Sequence, residues 1–478
     1  MASEQSSGDE DFEGDSDSTN ESLHSVVFAE LQVPENIQAY IENRILIRDV
    51  EDFTCSDELL ENVMNNYIIV KKIISNLSWQ EKMLCKHVST TWRSAVVALQ
   101  KEQSGPQDFI VDLNQLNKFV KFIKSGNFDA EPMVVFVFTN EYAISTASKC
   151  LLLQPSPCDP ACENEHCLID YLQHQVAVPK NCMLSVRATY LSYSPLPHTP
   201  TYEYNISTRT LRAPLPFMAG LFIPVIPDVK FHTININFSN DIDLRKNFYD
   251  VVANLGRDNI FKGVLIYLSE KFILQQFFNQ SSFLNFFREV QPETPYALGG
   301  CIIEDIIEQK EIKKIVDCQY EIHDNVSTFY VSPKLLTIGM FTVPKSVIFS
   351  EQGDMSNFDM YSLVIESSAW NKPCIQKTII EFAGEVPRFE FSVAIKFSCV
   401  GRDQKHNIEE ECFRSVFPDT RLIGCFGNGE LGVNHPSRTP QKPQPKRPRM
   451  GRKFLELLYS YSTVFVYIGW GRKSSVKT

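Results

Sequence analysis

The sequence predicts an α+β protein: a small all-α unit followed by a mixed α/β body whose β-sheets are covered by helices. Three observations predict it. Apolar residues over 56–102 recur at helical spacing. After the break "QSGPQ" at 103–107 the texture changes to short runs rich in β-branched and aromatic residues. Helical patterns lie between several of those runs, so strands and helices alternate.

Taken in order, residues 1–24 are an acidic, Ser-rich tail predicted to stay disordered, because it offers almost nothing to bury. A connector over 25–55 leads to the helical unit. There Leu59, Leu60, Val63 and Met64 share one helix face, and Ile69, Val70, Ile73, Ile74 and Leu77 continue the pattern. "SWQE" restarts a helix: Ser78 is placed to cap it, and Glu81 to reach back to the cap's amide. Leu84, Val88 and Trp92 then recur every fourth residue.

The body divides into a region over 108–300 and a region over 301–478. Its candidate strands are 131–139, 263–268, 327–331, 363–367, 389–400, 420–426 and 462–470. Helical patterns occupy 243–256 and 407–417, and residues 151–235 are Pro-rich with no legible topology. The stretch 435–453, rich in proline and base, is expected to be a looped insertion, within which "KRPR" (446–449) has the composition of a nuclear-import signal.

The net charge of −12 is local. Residues 1–22 hold eight acids and no Lys or Arg, which leaves −4 for the rest. A body so nearly balanced gives no reason to expect direct nucleic-acid or membrane binding. The first residues have neither a basic end nor an apolar stretch, so no signal peptide is expected, and 13 Cys then imply free thiols in a reducing compartment.

Few motifs carry chemistry. Gly427-x-Gly429-x-x-Gly432 has the spacing of a dinucleotide loop, but Pro436 and Pro440 prevent the helix such a loop must open. The expectation is a tight turn and close backbone approach. Cys158, Cys162, His166 and Cys167 are zinc-ligand types within ten residues, yet adjacent ligands at 166 and 167 fit one tetrahedral ion poorly. No metal and no cofactor are assigned. Cys399 ends an alternating run and is followed by Gly401-Arg402, where a guanidinium would favour the thiolate; the bland reading is a small apolar filler. No His stands where it would serve as a general base, so no catalytic residue is assigned and no enzyme is expected.

Residues 65–96 resemble an F-box. Ile69-Val70, Ile73-Ile74, Leu77, Met83-Leu84, Val88 and Trp92-Arg93 follow the motif's paired aliphatics and its closing Trp-Arg. The motif's two prolines are absent, with Asn65-Asn66 and Ser78 in the corresponding places. "FSCVGRD", "EEECFRSVFPDTRLIGCFGNGELG" and "LLYSYSTVFVYIGW" resemble the C-terminal FIST domain, and "YALGGCIIE" resembles the Gly-Gly stretch of such domains.

The resemblance implies a substrate receptor of a Skp–cullin–F-box ubiquitin ligase, present in cytoplasm and nucleus. Ile69, Val70, Ile73, Ile74, Leu77, Met83, Leu84, Val88 and Trp92 would dock a Skp-type adaptor and through it a cullin–RING ligase. Cys399, Arg402, Gly427, Gly429 and Glu430 are the candidates for binding a protein substrate or ligand, with an Arg402–Glu430 brace of the turn as the competing role. The alternative is an intracellular FIST protein that senses a small ligand without a ligase role.

Overall fold

The computed structural model describes residues 56–474 apart from 115–118, 146, 150–164, 169–171, 173–175, 177–181, 202–216, 238–240, 272–290, 292–294, 308–333, 349–356 and 438–457. The acidic tail, the connector, the strand expected at 327–331, the KRPR stretch, Cys158 and Cys162 lie outside the described residues. The rest is α+β.

Helices α1 (Asp57–Asn65), α2 (Tyr67–Ser75), α3 (Trp79–Cys85) and α4 (Thr90–Glu102) come first. Their limits follow from caps. Asn66 Oδ1 accepts from Ile68 N and Ile69 N, at 3.0 and 3.3 Å. Ser78 and Glu81 form the reciprocal box that "SWQE" predicts. Such caps contribute on the order of 1 kcal/mol each. Val70, Ile74, Cys85, Trp92, Ala95, Val96 and Leu99 close a small private core. Buried Lys82 ties this unit to the body, its Nζ donating to Asp129 O at 3.1 Å and to Gln103 Oε1 at 3.0 Å.

The body holds three large mixed sheets. In chain order its strands are β1 (Gln107–Asn114), β2 (Phe119–Lys124), β3 (Pro132–Thr139), β4 (Ala147–Lys149), β5 (Glu165–Cys167), β6 (Met183–Arg187), β7 (Tyr190–Ser194) and β8 (Phe217–Pro224). They continue with β9 (Lys230–Asn237), β10 (Asn259–Ser269), β11 (Ala297–Ile303), β12 (Asp305–Ile307) and β13 (Lys334–Pro344). The last are β14 (Phe358–Ile365), β15 (Arg388–Cys399), β16 (Arg421–Gly427), β17 (Glu430–Gly432), β18 (Leu458–Tyr459) and β19 (Thr463–Ser474). The stretch 151–235, illegible in the sequence, thus contains β5, β6, β7, β8 and most of β9.

One pairing pattern occurs three times. The first sheet contains the order β1-β8-β3-β6, the second β9-β13-β10-β11, the third β14-β19-β15-β16. In each, the last two strands of that order are parallel (β3 with β6, β10 with β11, β15 with β16), and the remaining neighbours are antiparallel. The next strand then leaves its own unit. β7 pairs with β16, β17 with β11, and β12 with β6, all antiparallel. Each unit therefore lends one strand to another, and the loans close into a ring.

The cores follow this threefold plan. The three inner faces share one large cluster, in which Phe138, Tyr267 and Phe397 come from the equivalent strands β3, β10 and β15. Ring centroids of Phe138 and Tyr267 are 6.4 Å apart, and those of Tyr267 and Phe397 5.6 Å. Each outer face has its own cluster. Helices cover the outer faces of the second and third sheets: α6 (Asp241–Asp258) through Phe248 and Val252, α8 (Lys372–Glu385) through Ile375, Ile379 and Phe382, and α9 (His406–Val416) through Cys412 and Phe413. Between β3 and β4 lies α5 (Glu141–Ser145), and after β13 comes α7 (Lys345–Ile348).

Candidate functional site

Parallel strands expose their ends on one side, and such ends are where open α/β sheets place ligands. In the third sheet the paired ends are Cys399 and Gly427. The glycine run that follows is where the chain crosses from the third sheet to the second. At Gly427 a Cβ would lie 2.3 Å from Ile302 O, so only glycine permits the approach. Gly429 takes φ +141°. Asn428 N donates to Ile302 O at 3.0 Å, and Ile302 N donates to Gly429 O at 2.9 Å. The next residues form β17 rather than a helix, as the prolines imply.

Glu430 is fully buried in that crossing. Its Oε2 accepts from Ser462 N at 3.2 Å and from Ser462 Oγ at 2.7 Å, while Oε1 has no partner. Burial pushes its carboxyl up to about 7, against the opposing hydrogen bonds from Ser462 and Cys399. Burial, and then the Glu430 carboxylate, also raise the Cys399 thiol above its ordinary value. The thiolate-favouring role expected of Arg402 is therefore not found. Arg402 points elsewhere.

Its guanidinium is fully buried. Nε and Nη2 donate to Glu409 Oε1 at 3.0 and 2.6 Å, Nη1 to Tyr461 O at 3.0 Å, and Nη2 also to Ala369 O at 3.2 Å. The Arg402–Glu430 brace is thus replaced by two separate anchors, Arg402 on Glu409 and Glu430 on Ser462. Glu409 Oε2 takes Lys396 Nζ at 3.1 Å and accepts from Thr463 Oγ1 at 2.9 Å. Lys396 Nζ donates to His406 Nδ1 at 2.9 Å, and burial followed by this cation lowers His406 to about 2, so the imidazole is neutral. His406 Nε2 lies 3.5 Å from Glu410 Oε1. These charges neutralise one another inside the fold, an arrangement that braces the strand ends.

Cys399, Gly427, Gly429 and Glu430 are therefore brought together, while Arg402 is tied to Glu409, Tyr461 and Ala369. Sequence reading missed Ser462, Glu409, Lys396 and His406. The available signal was Lys396 within the otherwise apolar run Val393–Phe397, matched by acids on the buried face of α9. His166 and Cys167 fall in β5 beside β4. Among the described residues no group of three His, Cys, Asp or Glu is placed to hold a metal.

The adaptor candidates separate into three groups. Val70, Ile74 and Trp92 are buried in the helical core, with Trp92 Nε1 donating to Met64 O at 3.1 Å. Leu77, Met83 and Leu84 are half-buried. Ile69, Ile73 and Val88 are 40%, 41% and 54% exposed, and Ile68 beside them, which the pattern did not single out, is 77% exposed.

What the fold and site define is an α+β protein with a greasy helical surface near its start and a braced polar turn near its end. A stretch of 57 residues is 39% identical to F-box only protein 22 of Homo sapiens and, equally, to F-box only protein 22 of Pongo abelii. It amounts to 11% of this chain and spans 14% of the length of those proteins, and it supports an F-box-like region. No family model matches. A solved structure, the cyanuric acid hydrolase from A. caulinodans, aligns with 77% of this chain and 100% of its own at a TM-score of 0.27 and 7% identity, too loose a superposition to define a shared fold.

Proposed function

We propose that the chain is the substrate-recognition subunit of a Skp–cullin–F-box ubiquitin ligase, with the helical unit docking the adaptor and the three-sheet body selecting proteins to be tagged. The observation that carries this reading is the partly uncovered aliphatic face of α2, where Ile68 is largely exposed and Ile69, Ile73 and Tyr67 are about two-fifths exposed. Fully burying an aliphatic side chain of this size contributes roughly 1.5–3 kcal/mol, so several together would anchor a helical partner. The short likeness to F-box only protein 22 agrees with it. Such a receptor works by holding a substrate lysine near a charged conjugating enzyme, which requires no acid, base or nucleophile of its own.

The test is co-purification of the full chain with a Skp-type adaptor and a cullin. Capture by the wild type and its loss in Ile69→Asp and Ile73→Asp support the reading; no capture by a folded wild type overturns it. A second reading, a small-ligand sensor, is favoured by the unpartnered Glu430 Oε1 beside a half-buried thiol.

A further inference from the structure

One guanidinium fixes two exposed aromatic residues at the edge of the braced turn. Arg402 holds the main chain at Tyr461 through Nη1 and at Ala369, next to Trp370, through Nη2. Tyr461 is 57% exposed and takes φ +56°, a left-handed conformation that costs a bulky L-residue energy and persists where surroundings enforce it. Its ring lies over Gly401, where a Cβ would come within 2.6 Å of it. Trp370 is 41% exposed, and Lys405 Nζ sits 4.6 Å from its ring centroid. No carboxylate pairs with Lys405 among the described residues, whereas Arg402 beneath is neutralised by Glu409 and nearby Lys372 by Glu411. The edge thus presents two flat apolar surfaces, held out by a buried brace, and one positive charge with no carboxylate partner among the described residues, on a chain whose net charge is −12.

We infer that Trp370, Tyr461 and Lys405 form a docking rim for a short acidic segment of another protein, a carboxylate meeting Lys405 and a neighbouring apolar side chain lying on the rings. Rigid aromatics beside a cation are what such contacts use, since little side-chain freedom is lost on binding. A nucleic-acid strand would also stack on the rings, but it calls for a track of free cations, whereas among the described residues Arg402 and Lys372 are paired with carboxylates and Lys405 alone is not. The inference deepens the substrate-receptor reading by naming the class of segment the body selects. Arg402 is the positioning residue.

The experiment uses the full-length chain as bait for a displayed library of random peptides, followed by titration of the enriched peptides and of a short oligothymidine. The expected result is enrichment of peptides with Asp or Glu beside an aromatic or aliphatic residue. Trp370→Ala and Tyr461→Ala, each at an exposed side chain, weaken those peptides by about tenfold. Lys405→Glu reverses the charge preference toward Lys and Arg, a readout that a merely structural role would not give. Thermal unfolding of each variant confirms that it is folded. No enrichment by the folded wild type, peptides without acidic bias, binding indifferent to the three substitutions, or preference for the oligothymidine overturns the inference. Rim-dependent peptides without adaptor capture would leave the rim standing and remove the ligase reading; adaptor capture without rim-dependent peptides would do the reverse.

Discussion

Arg402 and Glu409 face each other with no exposure to solvent, two guanidinium nitrogens on one carboxylate oxygen at 2.6 and 3.0 Å. The other oxygen of Glu409 serves Lys396. A single carboxylate is therefore shared by two buried cations. Removing its charge leaves both uncompensated, so Glu409→Gln is expected to cost about 3–5 kcal/mol, measured by denaturant unfolding. Arg402→Lys keeps the charge but has one ammonium where five donors stood; the expected loss is smaller, and Tyr461 and Trp370 become more mobile by hydrogen exchange and fluorescence.

Glu430 and His406 pull stability in opposite directions with pH. Glu430 is raised from 4.5 to about 7, so between those values the folded state holds a proton the unfolded chain has lost, and stability falls as pH rises through that window. His406 is lowered from 6.5 to about 2, so below about 6.5 the unfolded chain holds the extra proton, and stability falls as pH drops. From pH 4.5 to 6.5 the two oppose each other. Glu430→Gln removes one and is expected to leave a steeper loss toward acid, while His406→Gln is expected to show stability declining from pH 4.5 to 7. Unfolding free energies at several pH values check both signs.

In the helical unit substitution is expected to act differently on buried and on exposed residues. Trp92→Ala empties a core position and frees a main-chain acceptor, at a cost of about 3–5 kcal/mol. Ile73→Asp touches an exposed position and is expected to change stability by less than about 1 kcal/mol while abolishing adaptor capture. Loss of capture at unchanged melting temperature is the distinguishing result.

Two glycines give opposite expectations. A methyl group at Gly427 collides with the Ile302 carbonyl at 2.3 Å, so Gly427→Ala is expected to disrupt the passage of the chain from the third sheet to the second. Gly384 lies in α8 with nothing within 4 Å of the added carbon, so Gly384→Ala is expected to stabilise by about 0.5–1 kcal/mol. Melting temperatures of the two variants check the pair.

Local pattern was enough to read much of the fold. The runs at 131–139, 389–400 and 420–426 are β3, β15 and β16, and 243–256 and 407–417 fall within α6 and α9 or one residue beyond. Those segments carry period-2 or period-3.6 patterns of their own. The ring was not legible, because it resides in which strand pairs with which; β7 and β12 are short and lie more than a hundred residues from their partners β16 and β6. The division at 300/301 falls inside β11, whose parallel partner β10 lies on the other side of it. At the site, the glycine turn could be read from its prolines, whereas the direction of Arg402 could not, since two acids lay within its reach and only packing chooses Glu409 over Glu430.

The exchange of β7, β12 and β17 has a bearing on how this protein can be dissected. A fragment cut at any unit boundary loses a strand it borrowed and keeps one it should have given away. Its raw hydrogen-bonding margin would then be open to any extended segment nearby, a second copy included. Proteolytic nicking or premature termination in the body is therefore expected to yield sticky, aggregating pieces rather than a shorter working protein.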